Sequence, residues 1–274
     1  MVGSDKNWLT SELSDSLAKD IAERLVVHTN GAPDRKSLRL SKLGPVCPRA
    51  LWYSVHHPEL AEPLPAAAKI KYSYGHVLEA MAITMAKAAG HEVTGEQDEV
   101  VLDGIVGHRD CVIDGAVVDV KSCSTFQFAK YKTGTVQDDD AFGYLDQLDA
   151  YGSACIEDPL VTIKDKAYIL AIDKTLGHIA LYEHSIRTEA IRARIEDYKE
   201  IVQCDQPPIC RCGTKPIGVS GNIGLDTKAS YSPYKYICFP HLRTFLYSSG
   251  PVYLTRVIRR PEVIEVDKYG NPIL

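Results

Sequence analysis

The sequence predicts an α/β (α+β) fold with a mixed sheet and flanking helices, and three observations point to it. Apolar residues recur at helical steps through the first ninety or so positions; from Glu96 they alternate with period two; and two Asp-Gly pairs, Asp103-Gly104 and Asp114-Gly115, each separate runs rich in β-formers. A chain of 274 residues, 45% hydrophobic and 24% charged, is long and apolar enough to bury a sizeable core.

Taken in order, Leu13, Leu17, Ile21 and Leu25 form a four-residue stripe that predicts an amphipathic helix over Ser11 to His28, ended by Gly31 to Asp34. Pro48 to His56 reads as a short helix and Pro58 to Pro65 as a connector. Tyr74 to Ala89 reads as a helix closed by Gly90. The Asp-Gly pairs then delimit a three-strand meander, Gln97 to Leu102, Ile105 to Ile113 and Ala116 to Ser122. A loop carrying Asp138 to Asp140 leads to a helix from Phe142 to Cys155. Two strands, Lys166 to Asp173 and His178 to His184, precede a long helix from Thr188 to Gln203. The rest is rich in Pro, Gly and Cys without a strong period and reads as a loop-dominated appendage.

The expected organisation is a helical region over 1–95, a core over 96–203 and an appendage over 204–274 that packs on the core as part of one integrated domain. No run approaches a membrane span, and the opening MVGSDKNWLTSELSD lacks the layout of a signal peptide, so no membrane partner and a cytoplasmic location are expected. Eight cysteines in that setting read as reduced thiols or metal ligands rather than a disulfide framework. A net charge of −5 excludes a globally basic nucleic-acid coat. Contact with nucleic acid would fall to local clusters, Lys130 with Lys132 or Arg256, Arg259 and Arg260.

The second hairpin carries the chemistry. With Asp114 and Gly115 as its turn, Ile113 pairs with Ala116, Val112 with Val117 and Cys111 with Val118, which sets Asp110 opposite Asp119. Opposed like charges destabilise a sheet unless a cation or a raised pKa compensates, and paired Asp oxygens suit Mg²⁺ or Mn²⁺. Alternation puts Lys121 on the face of Asp119, where an ammonium can position water or offset charge on a phosphate. The competing reading is an edge hairpin whose Asp and Lys form a surface ion pair; the flanking Val117, Val118 and Val120 speak for a strand buried on both faces instead. His76 and Glu79 stand three apart on one helical face, where both could reach a metal or form a solvated pair.

These residues, together with CPRALWY from Cys47, YGHVLEA from Tyr74, GHRD from Gly107, VVDVKS from Val117 and QLDAY from Gln147, resemble the RecB-like branch of the PD-(D/E)XK nucleases. Within it they are similar to bacteriophage exonucleases related to the CRISPR-adaptation nucleases, over roughly residues 40 to 260. The resemblance implies a restriction-endonuclease-like core and a divalent-metal-dependent DNA exonuclease acting on the ends of single- or double-stranded DNA. It further implies phage-encoded DNA processing or recombination in the host cytoplasm, and homo-oligomerisation is compatible with it. His76, Asp110 and Asp119, with the carbonyl of Val120, would be metal ligands and Lys121 the catalytic lysine. Glu79 would serve behind them or at a second metal, and Gln147 and Tyr151, four apart on one helical face, would contact DNA or support the site. The alternative is a catalytically silent DNA- or partner-binding module that keeps the fold.

Relatives of this kind hold an iron–sulfur cluster on one cysteine before the core and three after it. Cys47 and Cys238 match the first and last positions, but Ala229 and Ser232 stand where the middle thiols belong. Because such clusters take four thiolates, the expectation is a degenerate, cluster-free remnant. Cys204, Cys210 and Cys212 are candidate substitutes, and Cys210 and Cys212 with Cys47 and Cys238 would complete a quartet for zinc or a cluster, at a spacing poorer than the usual chelating pair. Cys111, Cys123 and Cys155 read as buried thiols.

Overall fold

A computed structural model describes residues 37–63 and 66–273, so the helix expected over Ser11 to His28 lies outside the described residues. The chain divides into two compact units, residues 37–44 with 66–195 and residues 45–63 with 196–273.

In the first unit, helix α2 (Ala66–Ala88) begins well before the expected Tyr74 and stops at Gly90, whose φ of 93° only glycine adopts freely. (Helix α1, Pro48–His56, belongs to the second unit.) Strands β1 (Val93–Thr94), β2 (Glu99–Leu102), β3 (Ile105–His108), β4 (Cys111–Ile113) and β5 (Ala116–Cys123) follow. Both Asp-Gly pairs make the expected turns, with φ of 47° and 80° at Asp103-Gly104 and 49° and 80° at Asp114-Gly115. The β4–β5 register is the expected one, Cys111 with Val118, Val112 with Val117 and Ile113 with Ala116.

The three-strand meander needs correcting. The strand expected over Ile105 to Ile113 is broken at Arg109 and Asp110, and its neighbour is broken too. Thr94 pairs with Val112 and Glu99 with His108, so four residues, 95–98, lie opposite three, 109–111. This is a β-bulge, with Gly95 and Gln97 both at positive φ. It separates β2 and β3 into a two-stranded sheet of their own, while β1 and β4 join the main one.

Helix α3 (Thr125–Thr133), absent from the sequence reading, is capped by Ser124, whose hydroxyl accepts from the Gln127 amide, and ends at Gly134 with φ 75°. Helix α4 (Tyr144–Ala154), strands β6 (Ile163–Asp173) and β7 (Ile179–Ser185) and helix α5 (Thr188–Gln203) complete the series. The main sheet runs β1-β4-β5-β6-β7, with β5 and β6 parallel and the other pairs antiparallel. It is the mixed sheet expected of a restriction-endonuclease-like core, and β5 is its buried central strand. Val118 and Val120 pack with Cys111 against Ala82 and Ile83 of α2, so alternation turns Asp119 and Lys121 to the other face.

The second unit corrects the loop-dominated reading of residues 204–274. Strands β8 (Thr214–Ile217), β9 (Asn222–Leu225), β10 (Arg243–Tyr247), β11 (Gly250–Arg256) and β12 (Ile264–Val266) form an antiparallel sheet ordered β12-β10-β11-β9-β8. Short helices α6 (Thr227–Tyr231) and α7 (Lys235–Cys238) lie between β9 and β10. Leu225, Phe245, Leu254 and Val266 are buried there. Helix α1 joins this unit through Arg49 Nε to Pro208 O and Trp52 Nε1 to Cys204 O, both 2.8 Å. Among the described residues no helix is long and apolar enough to cross a membrane.

Candidate active site

The β4–β5 ladder stops at Cys111, one residue short of Asp110, and the side chain of Asp110 takes over from its backbone. Its Oδ2 accepts the Val120 amide at 2.7 Å, which fixes the carboxyl beside the centre of β5. Asp119 is buried, and Lys121 Nζ lies 2.8 and 2.7 Å from its two oxygens. Asp110 thus meets β5 through a hydrogen bond and not as the expected ladder partner of Asp119, and the charges of both Asp119 and Lys121 act on it.

Burial raises the Asp110 pKa well above the carboxylate range, and the charges of Asp119 and Glu79 add to the effect. Asp119 is also raised, by burial first, with Lys121 opposing. Burial works against the charge on Lys121, but Asp119 and Asp110 outweigh it and hold the ammonium protonated above its ordinary range. A partly buried group with more acid than one ammonium can neutralise is a set of hard oxygens that suits a divalent cation.

Helix α4 flanks the lysine. Tyr144, Gln147 and Tyr151 share one of its faces; Lys121 Nζ lies 5.3 Å from the Tyr144 ring centroid, and Gln147 Nε2 donates to Tyr151 Oη at 3.3 Å. Burial pushes the Tyr151 phenol up to about 12. A different face of α4 is pinned: buried Asp149 accepts from His184 Nε2 at 2.7 Å and from the Arg187 amide at 2.8 Å, and Asp146 pairs with Arg194.

On α2, His76 Nδ1 and Glu79 Oε2 are 3.9 Å apart. Glu79 Oε1 accepts from Gln97 Nε2 at 2.7 Å, and the Gln97 amide donates to the Asp110 carbonyl at 3.1 Å. Gln97, held at φ 55° in the bulge, thus links Glu79 to Asp110, a connection sequence reasoning missed. Arg109 was missed too. Its side chain is 1% exposed and donates to Gly95 O (3.1 Å), Asp98 Oδ2 (2.8 Å) and Asp158 Oδ2 (2.5 Å), anchoring the residue immediately before Asp110. Among the described residues, the ligand atoms of Cys47, Cys210, Cys212 and Cys238 all lie within 4.8 Å of one another, close enough to hold a metal ion. This quartet belongs to the second unit: Cys210 and Cys212 bring two thiols beside Cys47 and Cys238, a group that could hold a metal although positions 229 and 232 carry none. Cys111, Cys123 and Cys155 are buried, as expected, and Cys204 is exposed.

No protein-family model and no curated protein matches the sequence. Among solved structures the chain is similar to SSO0001, at 17% identity and TM-score 0.44 over 84% of this chain and 97% of that one. It is also similar to the alkaline exonuclease LHK-Exo from Laribacter hongkongensis, at 16% identity and TM-score 0.43 over 62% of this chain and 88% of that one. A phage-related exonuclease from Haemophilus somnus 129PT aligns at 14% identity and TM-score 0.38, over 58% of this chain and 91% of that one. These likenesses are loose.

Proposed function

We propose that the chain is a divalent-metal-dependent deoxyribonuclease, and the observation that carries this is the grouping of half-buried Asp110 and Lys121 around buried Asp119 beside the central strand of the main sheet. Two carboxyls held at raised pKa in a site with one ammonium are costly to fold unless a function requires them. Asp110 and Asp119 would hold Mg²⁺ or Mn²⁺, with His76 and the carbonyl of Val120 as further donors. When bound, the ion supplies Lewis-acid polarisation of a phosphate oxygen and an activated water.

The rest follows from the side chains. Lys121, protonated through Asp119, is a hydrogen-bond donor rather than a proton acceptor, suited to the charge that builds on a phosphate oxygen during attack. The Tyr144 ring limits water around its ammonium and holds it over the strand. The Gln147–Tyr151 pair presents polar groups on the same helical face, suited to the sugar-phosphate chain beside the reacting group. Glu79, through Gln97, fixes the backbone that carries Asp110. Action at strand ends rests on the resemblance of the motifs to RecB-like exonucleases, as does a role in phage DNA processing.

The test is digestion of end-labelled single- and double-stranded DNA under a titration of Mg²⁺ and Mn²⁺. Product should accumulate from the labelled end only with a divalent ion, and Asp119→Ala should lower the rate by about 10³-fold or more. DNA left intact at every ion concentration, or degraded equally by the variant, would favour the silent binding module instead.

A further inference from the structure

The thiols of Cys47, Cys210, Cys212 and Cys238 take no part in the chemistry above. They come from three separate stretches of chain: the residue before α1, the loop ahead of β8 and the end of α7. Cys47 and Cys210 are 163 positions apart in sequence, yet their sulfurs lie 3.8 Å apart, and all four sulfurs fall within 4.8 Å of one another.

Three explanations compete, and the spacing separates them. A disulfide brings two sulfurs to about 2.05 Å, and all eight cysteines are free. An iron–sulfur cluster places several irons and sulfides between its thiolates and spreads them around a polynuclear core. A single zinc bonded to four sulfurs at about 2.3 Å makes a tetrahedron whose edges are about 3.8 Å. The Cys47–Cys210 separation matches one edge of that tetrahedron, and the 4.8 Å bound on all four leaves room for one ion and none for a polynuclear core.

The backbone adds an independent argument. The Arg211 amide donates to Cys47 Sγ at 3.3 Å and the Cys212 amide to Cys210 Sγ at 3.4 Å. Amide donors aimed at ligand sulfurs are the outer support by which proteins stabilise metal-bound thiolates. The loop Cys210-Arg-Cys212 thus wraps its own amides around the sulfurs, which is how a one-residue spacing serves as a chelating pair. The two positions at which the resemblance places thiols are otherwise engaged: Ala229 is buried within α6, and the Ser232 hydroxyl accepts the Tyr234 amide at 3.3 Å. The iron–sulfur cluster implied by the resemblance does not fit these residues.

We propose that Cys47, Cys210, Cys212 and Cys238 bind one zinc ion in a closed, structural tetrahedral site. Four thiolates leave no open position for water or substrate, so the ion holds the fold of the second unit. It fastens the start of α1 to the β8–β12 region across a long closed loop, where a cross-link restricts the unfolded chain most.

Elemental and sulfide analysis of the full chain, purified without oxygen and dialysed against a mild chelator, tests this directly. One zinc per chain, no acid-labile sulfide and no visible cluster absorbance are expected. A mercurial reagent should release that zinc in step with modification of four thiols. Cys212→Ser should fall below a tenth of the wild-type zinc content, while Cys204→Ser, at an exposed thiol outside the quartet, should keep it. Iron with sulfide, or a chain without metal, overturns the proposal. If Cys212→Ser proves insoluble, mercurial release from the wild-type chain decides: zinc released without loss of thiols refutes the site.

Discussion

Replacing Lys121 by Met removes the ammonium but keeps an apolar stem of similar length, and so isolates the charge. In the folded chain that charge lies 2.8 and 2.7 Å from the two oxygens of a carboxylate whose side chain is 3% exposed. Deleting one partner of a buried pair costs about 3–5 kcal/mol, because the other charge is left unpaired. Lys121 is itself 20% exposed, and water reaching the vacated place puts the value near the lower bound, about 3 kcal/mol. For a unit of this size that corresponds to a fall of roughly 10 °C in Tm. The loss has a pH signature. Asp119, already raised, escapes its unpaired state by taking a proton, so the deficit is full at alkaline pH and shrinks as pH falls. Thermal unfolding by circular dichroism across pH 5 to 9 with a chelator present reads the magnitude, and amide exchange over residues 116–123 locates it. The double variant Lys121→Met, Asp119→Asn, which leaves no unpaired charge, should recover most of the loss. A deficit that is equal at both pH extremes, or a double variant no more stable than the single one, would refute the reasoning.

Two further outcomes are expected. In metal-free protein, Asp110 keeps its proton at pH values where the unfolded chain has lost it, so stability should fall as pH rises from the ordinary carboxylate range through the raised Asp110 pKa, then level off. Asp110→Asn should flatten that slope in urea titrations while abolishing cleavage; an unchanged slope removes Asp110 as its source. Gly95→Ala places a Cβ 2.3 Å from Arg109 Nη2 at a φ of 58° and should cost about 2–4 kcal/mol, with a loss of activity through the neighbouring Asp110. Full stability and activity in that variant would show that the bulge does not position the carboxyl.

What the sequence made legible is what local rules govern. An Asp-Gly turn sets its own register, so the β4–β5 pairing and, by alternation, the side of Asp119 and Lys121 could be placed from residue types alone. The helices Pro48–His56 and Thr188–Gln203 have the bounds that their residues led one to expect. Helix α3 carried legible signals, Ser124 before it and Gly134 after it, but its apolar stripe is too weak to have drawn attention to them. The bulge was not legible, because Gln97 and Gly95 are held at positive φ by Arg109 and Glu79, partners distant in sequence. The second sheet was hidden for another reason: strands of three to seven residues, interrupted by Gly and Pro, do not sustain a period. The cysteines were judged by spacing along the chain, whereas their convergence depends on residues 163 positions apart.

The division of the chain into units has a consequence for its birth on the ribosome. Apart from residues 37–44, the unit bearing Asp110, Asp119 and Lys121 is one continuous stretch, 66–195, and can fold as soon as it has emerged. The other unit is split, and its first piece, 45–63, must wait for about 130 intervening residues to be made. At ordinary synthesis rates that is on the order of ten seconds, during which α1 presents Leu51 and Trp52 without the neighbours that bury them in the finished chain. The earliest described α-helix is thus completed last, and a ribosome that stalls before residue 196 would leave the unit bearing Asp110, Asp119 and Lys121 together with an orphan segment.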